Sequence, residues 1–378
     1  MSSLNRKRSM FDLYIFAMLI ASEILMSFTF LGYIHIPPVS ITFAYIPILI
    51  AAAALGTAQS TAIGFVFGLA SMYKASASYV MPMDMIFSPF YSGRPLQSLI
   101  LSIGTRTLFG FIIGFSFAAV KKTKKPRLYI GMISFIAPKL HDAIVYAAME
   151  LFFSDVLREN LGNAKLFGIK DILPVVFSVL SAELTMLIYN SRTVRKLKRD
   201  IDKSYEIPYI RTKNKNVFLT VLIAFVLFMT LMSTMYFASR SFSMFEGYGM
   251  KLSFQVERDL IRLQLQFMLA MLSLYVISLV ILIFVYRKMT YQNFLGKLDA
   301  VTGIMGRRIF LENCAKIAEN MNDNVTDDGW FLFADIDKFK NVNDTFGHAV
   351  GDLVLKETAR IFGDIFLDCG IVGRMGGD

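Results

Sequence analysis

At 378 residues the chain could hold two or three soluble domains, but 55% hydrophobic and only 18% charged residues, with a mean hydropathy of +0.53, exclude a water-soluble composition over most of its length. Cys314 and Cys369, the 2 cysteines, lie in the most polar third of the chain with neither metal-ligand spacing nor a CxxC pair; they exclude a disulfide scaffold and read as reduced cytoplasmic thiols. The net charge of +10 informs through its placement rather than its sum.

Apolar runs of about 20 residues, enough for a roughly 30 Å hydrocarbon core, are predicted near 11–33, 97–120, 127–153, 169–190, 217–237 and 265–286. Between 41 and 73 the pattern breaks at Gly56 and reads as two shorter helices with a tight turn, giving eight expected spans. Basic clusters flank these runs: Arg6, Lys7 and Arg8; Lys121, Lys122, Lys124, Lys125 and Arg127; the stretch from Arg192 to Lys215; then Arg287 and Lys288. An even span number puts all of them on one face, so a multi-pass protein of the cell membrane with both termini cytoplasmic is expected, its partner being the lipid bilayer. Too few aromatic residues interleave with the basic ones for a stacking groove, so no nucleic-acid partner is expected. The segment from Phe11 to Tyr33 is too long for a cleaved signal peptide.

The first segment, 1–190, reads as a six-span membrane domain. Pro37, Pro38, Pro47, Pro138 and Pro174 interrupt backbone hydrogen bonding, which lipid tolerates only where neighbouring helices or a lined cavity supply partners. Glu23, Arg106, Lys139, His141, Asp142, Asp171 and Glu183 are ionisable residues in or at the ends of spans, and each must pair, face an aqueous pocket or sit near the interface. Lys139 and Asp142, three apart on one helix face, either neutralise each other or contact a ligand.

Phe43 to Pro47, Ala54-Leu55-Gly56, Ile63 to Leu69, Phe87 to Phe90 and Arg106 to Gly110, ending at Lys121-Lys122, together resemble the substrate-binding S components of energy-coupling-factor vitamin transporters over about half the chain. Ala17 and Ala21 match the small-xxx-small pair that S components set against their transmembrane partner. The resemblance implies a vitamin-like small ligand bound from the outer side. On the loop from Tyr73 to Gln97, Lys74, Asp84, Tyr91 and Arg94 are then candidates for a ligand lid.

The second segment, 191–290, combines a basic linker with a two-span hairpin and an external loop, and reads either as a signalling hairpin or as two additional anchors. The third, 291–378, has soluble α/β patterning. A turn at Asp299-Ala300-Val301-Thr302-Gly303 enters a helix through Arg307, Phe310, Leu311, Ala315 and Ile317, and Trp330 to Ala334 is predicted as a strand ending at Asp335. Carboxylates at a strand end, with a third after a Gly-Gly turn, form a hard oxygen site suited to Mg²⁺ and a polyphosphate. Glycines at such a turn let the backbone approach a phosphate closely.

Asp299 to Phe310 resembles D-x-L-T-G-L-x-N-R-R-x-F with Val301, Ile304 and Gly306 as departures, and Asp335 to Asp352 matches D-x-D-x-F-K-x-x-N-D-x-x-G-H-x-x-G-D without a gap. Together with Gly376-Gly377-Asp378 they resemble the GGDEF family of diguanylate cyclases, which condense two GTP into cyclic di-GMP. The resemblance implies Mg²⁺ or Mn²⁺ held by Asp335, Asp378 and the Ile336 carbonyl, with Asp335 and Asp378 catalytic. It implies GTP bound by Asn343 and Asp352 at guanine and by Lys340, Gly376 and Gly377 near the phosphates, and a productive homodimer through this domain. His348 reads as part of the turn rather than a proton shuttle.

The family's product-inhibition motif would fall on Leu367 to Gly370, where it is not matched, and feedback inhibition there is not expected. The family's residues after Gly-Gly-Asp are not in the sequence, so a truncated product without cyclase activity is expected. The expected architecture is a multi-span α-helical membrane domain, six helices plus a two-helix hairpin, followed by a partial α/β GGDEF (nucleotide-cyclase-like) domain. The competing readings are an S-component-like small-molecule-binding membrane protein and a non-catalytic GGDEF receptor.

Overall fold

The computed structural model describes residues 9–36, 39–77, 80, 82–160, 172–206, 213–322, 329–366 and 369–376. The chain forms two units, Met1–Asp202 with Thr212–Val285, and Lys203–Arg211 with Tyr286–Asp378.

In the first unit, helix α1 (Met10–Phe28) starts at Ser9, whose hydroxyl accepts the Asp12 N–H at 3.3 Å. The helix stops short of the expected Tyr33. Strands β1 (Tyr33–Ile36) and β2 (Val39–Thr42) pair antiparallel from Tyr33↔Thr42 to Ile36↔Val39, an arrangement hidden in the sequence because β1 continues the apolar run of α1. Helices α2 (Ile46–Ala54) and α3 (Thr57–Ala75) meet at Gly56, whose φ of +122° is open to glycine, so the expected break is where the chain turns. Next come α4 (Pro82–Met85), α5 (Pro95–Leu99), a π-helical turn (Ile100–Gly104) and α6 (Thr105–Val120). The kinked α7 (Pro126–Asn160) carries Pro138, and α8 (Ile172–Tyr189), α9 (Arg192–Glu206), α10 (Lys213–Gly247) and α11 (Phe254–Leu295) follow.

The core of this unit gathers Tyr45, Ile48, Leu49, Ile63, Phe67, Phe109, Ile113, Phe117 and Ile130, all at most 2% exposed. Helices α3 and α6 lie close enough for backbone to meet backbone. A Cβ on Gly64 would strike the Arg106 carbonyl, one on Gly68 the Ile103 Cα, and one on Gly110 the Ser60 carbonyl. Helix α2 is apolar all round and buried, and its terminal carbonyls at Ala52 and Ala53 accept the Lys121 ammonium at 3.0 and 2.6 Å, so two acceptors at the end of this short helix have a charged partner. Ala21 is buried at 4% and Ala17 half-buried, so within this unit the small pair already packs against its own chain.

Among the described residues, 6 helices are long and apolar enough to cross a membrane: Met10–Phe28, Pro95–Val120, Pro126–Val156, Ile172–Tyr189, Ile223–Gly247 and Phe254–Leu295. Helix α2 has 9 residues; at about 1.5 Å per residue it falls well short of a bilayer core. Among the described residues, six of the eight expected spans thus coincide with helices long and apolar enough to cross, and the two expected between 41 and 73 correspond to α2 and α3.

In the second unit, β3 (Met305–Gly306) pairs parallel with β4 (Gly373–Arg374) and helix α12 (Arg307–Asn322) packs on this pair, while α13 (Phe339–Phe346) and α14 (His348–Phe366) pack on each other. The stretch from Trp330 to Ala334, expected as a strand, is irregular instead. A strand exists only through ladder partners, and the described pairings of this unit are β3 with β4 and a single bridge between Leu298 and Met305. Its apolar side chains are consequently open, Trp330 at 93% and Phe333 at 72% exposure. Among the described residues, the expected α/β architecture is seen as three helices and one two-residue ladder.

Candidate functional site

The motif from Asp335 to Asp352 folds as a turn followed by two helices. Lys338 takes a left-handed conformation, φ 55°, immediately before α13, and Asn341 N–H donates to its carbonyl at 2.8 Å. Phe339 is the anchor of this segment, 6% exposed, and its N–H donates to the Ile336 carbonyl at 3.3 Å. Gly347, φ 83°, ends α13 with its N–H on the Asn343 carbonyl at 2.8 Å, and α14 begins at the next residue. The glycines of the motif thus serve a sharp helix-to-helix turn.

This turn brings two of the expected guanine-binding positions together. The Asn343 side chain lies directly against Gly351, where a Cβ would overlap its Oδ1, and Asp352 is the next residue on α14. Asp335, Lys340 and Asp352 are exposed and make no hydrogen bond or ion pair among the described residues, which leaves them open to a ligand. Gly376 is exposed as well. Gly377 and Asp378 lie outside the described residues, as do Leu367 and Asp368 of the product-inhibition position. No three His, Cys, Asp or Glu side chains converge on a metal position among the described residues. The Asp335 carboxylate and the Ile336 carbonyl are hard oxygen donors, and the long single hydrogen bond to that carbonyl leaves a lone pair, so the donor chemistry fits Mg²⁺.

Asp299 and Arg374, 75 residues apart in the chain, meet in this unit. Asp299 Oδ1 accepts the Thr302 N–H at 2.8 Å, the Thr302 hydroxyl at 2.7 Å and Arg374 Nη1 at 3.0 Å. Burial alone would push this carboxyl up, but the Thr302 hydrogen bonds and the Arg374 charge outweigh it and hold the group below the usual carboxylate range. Both residues belong to motifs that were legible separately, and only their contact was not. Gly373, beside Arg374, passes flat against the Phe310 ring, where a Cβ could not fit.

The first unit carries a second set of polar groups. Arg106 is 7% exposed, with its guanidinium carbon 4.8 Å from the Phe87 ring centroid and 5.6 Å from that of Phe67. The π-helical turn just before it matters here: the Leu101 carbonyl accepts Arg106 Nη1 at 2.7 Å and also the Thr105 hydroxyl. Arg106 Nε has no partner, and no carboxylate reaches its guanidinium among the described residues. His141, 5% exposed, is enclosed by Tyr45, Phe67 and Phe109 at centroid distances of 5.6, 5.8 and 5.4 Å, with Nε2 unpartnered. Glu23 is fully buried; one oxygen takes the Ser27 hydroxyl at 3.1 Å and the other has no partner.

The four lid candidates are placed as follows. Lys74 Nζ stands 3.8 Å above the Tyr33 ring, and the charge of the exposed Asp84 acts on both Lys74 and Arg106. The Tyr91 hydroxyl accepts Arg258 Nη2 at 2.9 Å, and Arg94 forms a solvent-exposed pair with Asp155 at 3.0 Å and donates to the Phe152 carbonyl. Lys139 and Asp142 do pair, at 3.9 Å; Glu183 is taken by Arg127 at 3.0 Å; Asp171 lies outside the described residues.

Residues 296–378 match the family model for the diguanylate cyclase GGDEF domain. Probable diguanylate cyclase DgcI of Escherichia coli (strain K12) is 43% identical over 82 residues, 21% of this chain and 17% of that protein. Diguanylate cyclase DgcP of the same organism is 34% identical over 83 residues, 21% of this chain and 23% of that protein. Diguanylate cyclase A of Treponema denticola is 49% identical over 47 residues, 12% of this chain and 13% of that protein. The matches thus span less than a quarter of these relatives' own lengths. A chain with several helices long and apolar enough to span a membrane therefore carries, over residues 296–378, a GGDEF domain related in sequence to diguanylate cyclases.

Proposed function

We propose that this protein is a membrane-bound diguanylate cyclase, making cyclic di-GMP from two GTP in a homodimer, with its rate set by a small ligand held in the membrane unit. The observation that carries the catalytic part is the unbroken motif from Asp335 to Asp352 within the matched GGDEF region, with Asp335, Lys340 and Asp352 open to solvent. Asn343 and Asp352, adjacent across the turn between α13 and α14, bind guanine, while Lys340, Gly376 and Gly377 lie along the phosphates. The 3′-hydroxyl of one GTP attacks the α-phosphate of the other and pyrophosphate leaves, twice over for the cyclic product. Asp335, Asp378 and the Ile336 carbonyl would hold Mg²⁺ or Mn²⁺, which supplies charge neutralisation when bound. Each domain binds one GTP, so the two sites must face each other in a dimer.

For the membrane unit, an S-component-like ligand-binding role is supported by Glu23, Arg106 and His141, buried polar groups with unpartnered atoms among aromatic rings. Such groups are costly unless something satisfies them. Lys74, Asp84, Tyr91 and Arg94 close over the ligand in this reading, and both termini face the cytoplasm with the basic clusters. The intact Asp335 favours an enzyme over a non-catalytic receptor.

The test is turnover of GTP to cyclic di-GMP in lipid nanodiscs by this chain continued past Asp378 with the rest of a GGDEF domain, with Asp335→Asn as control. Turnover in the wild type and its loss in the variant support the assignment. Equal rates in both would overturn it.

A further inference from the structure

We propose that α9 is a binding site for the headgroups of anionic phospholipids, set at the rim of the membrane unit. The sequence reading treated this segment only as part of a basic linker whose charge fixes topology. The structure makes it an ordered helix with two unlike faces.

One face is tied to the ends of two candidate spans. Helix α9 starts three residues after Tyr189, the last residue of α8. The Lys198 ammonium donates to both Asp12 oxygens, at 2.7 and 2.6 Å, and the Tyr189 hydroxyl donates to the same carboxylate. Asp202 accepts the Ser9 hydroxyl at 2.7 Å and the Phe11 N–H at 3.0 Å, which caps the start of α1. Asp200 and Ile201 are buried, at 8% and 0% exposure. The helix is thereby clamped at the level where α1 begins and α8 ends.

The opposite face carries Arg192, Arg195, Lys196 and Arg199, all exposed. Their spacing of three and four residues aligns them along one side of the helix over about two turns. None of the four side chains has a hydrogen-bond or ion-pair partner among the described residues. No described ion pair joins any of the four to the neighbouring carboxylates: Asp202 accepts the Ser9 hydroxyl and the Phe11 N–H, and Asp200 is buried.

A row of uncompensated cations at the end of two membrane-spanning helices meets one polyanion first, the headgroup layer. Three of the four are arginines, whose planar fork binds phosphate through two parallel hydrogen bonds, whereas topology requires only positive charge. The only other exposed residue within this stretch, Thr193, supplies no aromatic platform for a nucleic-acid base.

The distinction between bulk charge and headgroup recognition sets the experiment. The full-length protein is reconstituted in nanodiscs of phosphatidylcholine mixed with phosphatidylglycerol, re-extracted in mild detergent, and its retained lipid counted by mass spectrometry. The wild type is expected to retain phosphatidylglycerol several-fold above its share in the disc. Arg192→Lys, Arg195→Lys and Arg199→Lys combined, which keep every charge and hence the topology, should reduce that enrichment several-fold; the matching glutamine variant should abolish it. Enrichment unchanged by the lysine substitutions would show bulk electrostatics alone and overturn the site. Absence of enrichment in the wild type, or nucleic acid retained in place of lipid, would overturn it as well. Should the glutamine variant fail to fold, the lysine variant decides, together with amide exchange across 192–199. In the wild type that exchange should slow when phosphatidylglycerol is added to phosphatidylcholine discs; no change contradicts the proposal.

Discussion

Arg374 reaches across 75 residues of chain to Asp299 and donates to its Oδ1 at 3.0 Å, so the strand leading into the Gly-Gly pair is fastened to the turn that opens the domain. Asp299→Asn keeps the shape and removes the charge that both Arg374 and Thr302 address. Its expected cost to the second unit is about 1.5–3 kcal/mol, the range for hydrogen bonds to a charged group. Because the folded-state value of this carboxyl is depressed, its contribution is present above the ordinary value of 3.8 and is lost as pH falls through the depressed one. Denaturation of wild type and variant should therefore differ at neutral pH and converge in strong acid. A difference that persists with Asp299 protonated would show that geometry, not charge, fastens the turn.

Gly351 sets how closely α14 approaches α13. Gly351→Ala places a methyl group where Asn343 Oδ1 now sits, and overpacking of this kind typically costs about 1–3 kcal/mol. Asn343 must move, so GTP affinity should fall along with stability. Isothermal titration with GTP, run beside thermal melts, reads both. A variant that binds GTP normally would place guanine recognition elsewhere.

In the membrane unit, Gly110→Ala should be more damaging than Gly104→Ala, although both sit in one apolar run. At Gly110 the added Cβ meets the Ser60 backbone and breaks the α3–α6 contact, whereas at Gly104 it meets only the flexible side chain of Ile100, at 3.4 Å. The expected readout is a melting temperature in detergent lowered markedly by the first and little by the second. Equal melting temperatures would mean that the two helices can separate at little cost.

Local signals in the sequence were read correctly wherever a few adjacent residues decide the structure. The break at Gly56 follows from one glycine, and the pairing of Lys139 with Asp142 follows from their spacing. What was missed depends on distant partners. The apolar run Trp330–Ala334 has strand composition, but without neighbouring strands it forms no ladder. The hairpin Tyr33–Thr42 is apolar enough to pass for the end of a span. The π-helical turn before Arg106 carries no residue that announces it; the Ser98 and Ser102 hydroxyls, just before and within it, donate to the distant Ile86 and Phe87 carbonyls. In the GGDEF region the residue order is legible in the sequence and the Asp299–Arg374 contact is not.

The last prediction follows the path of α11. Near its start, Arg258 donates to the hydroxyl of Tyr91, a lid candidate; farther on, Phe284 stacks on Phe11 at 5.1 Å and meets Tyr14 edge-on at 5.8 Å. The same helix continues without interruption to Leu295, four residues before Asp299. A ligand that favours one lid position thus biases one end of a helix about 60 Å long, and a rigid helix transmits that bias better than a flexible chain. Tenfold control of rate requires about 1.4 kcal/mol of differential affinity between the two arrangements. Inserting flexible Gly-Ser residues after Tyr291 in the full-length protein should leave ligand affinity nearly unchanged and abolish the ligand's effect on cyclic di-GMP synthesis. Tyr91→Phe, which removes the acceptor for Arg258 and leaves the helix intact, should weaken the response without lowering the basal rate. If the response survives the insertion, α11 is an anchor and control must reach the catalytic unit by another route.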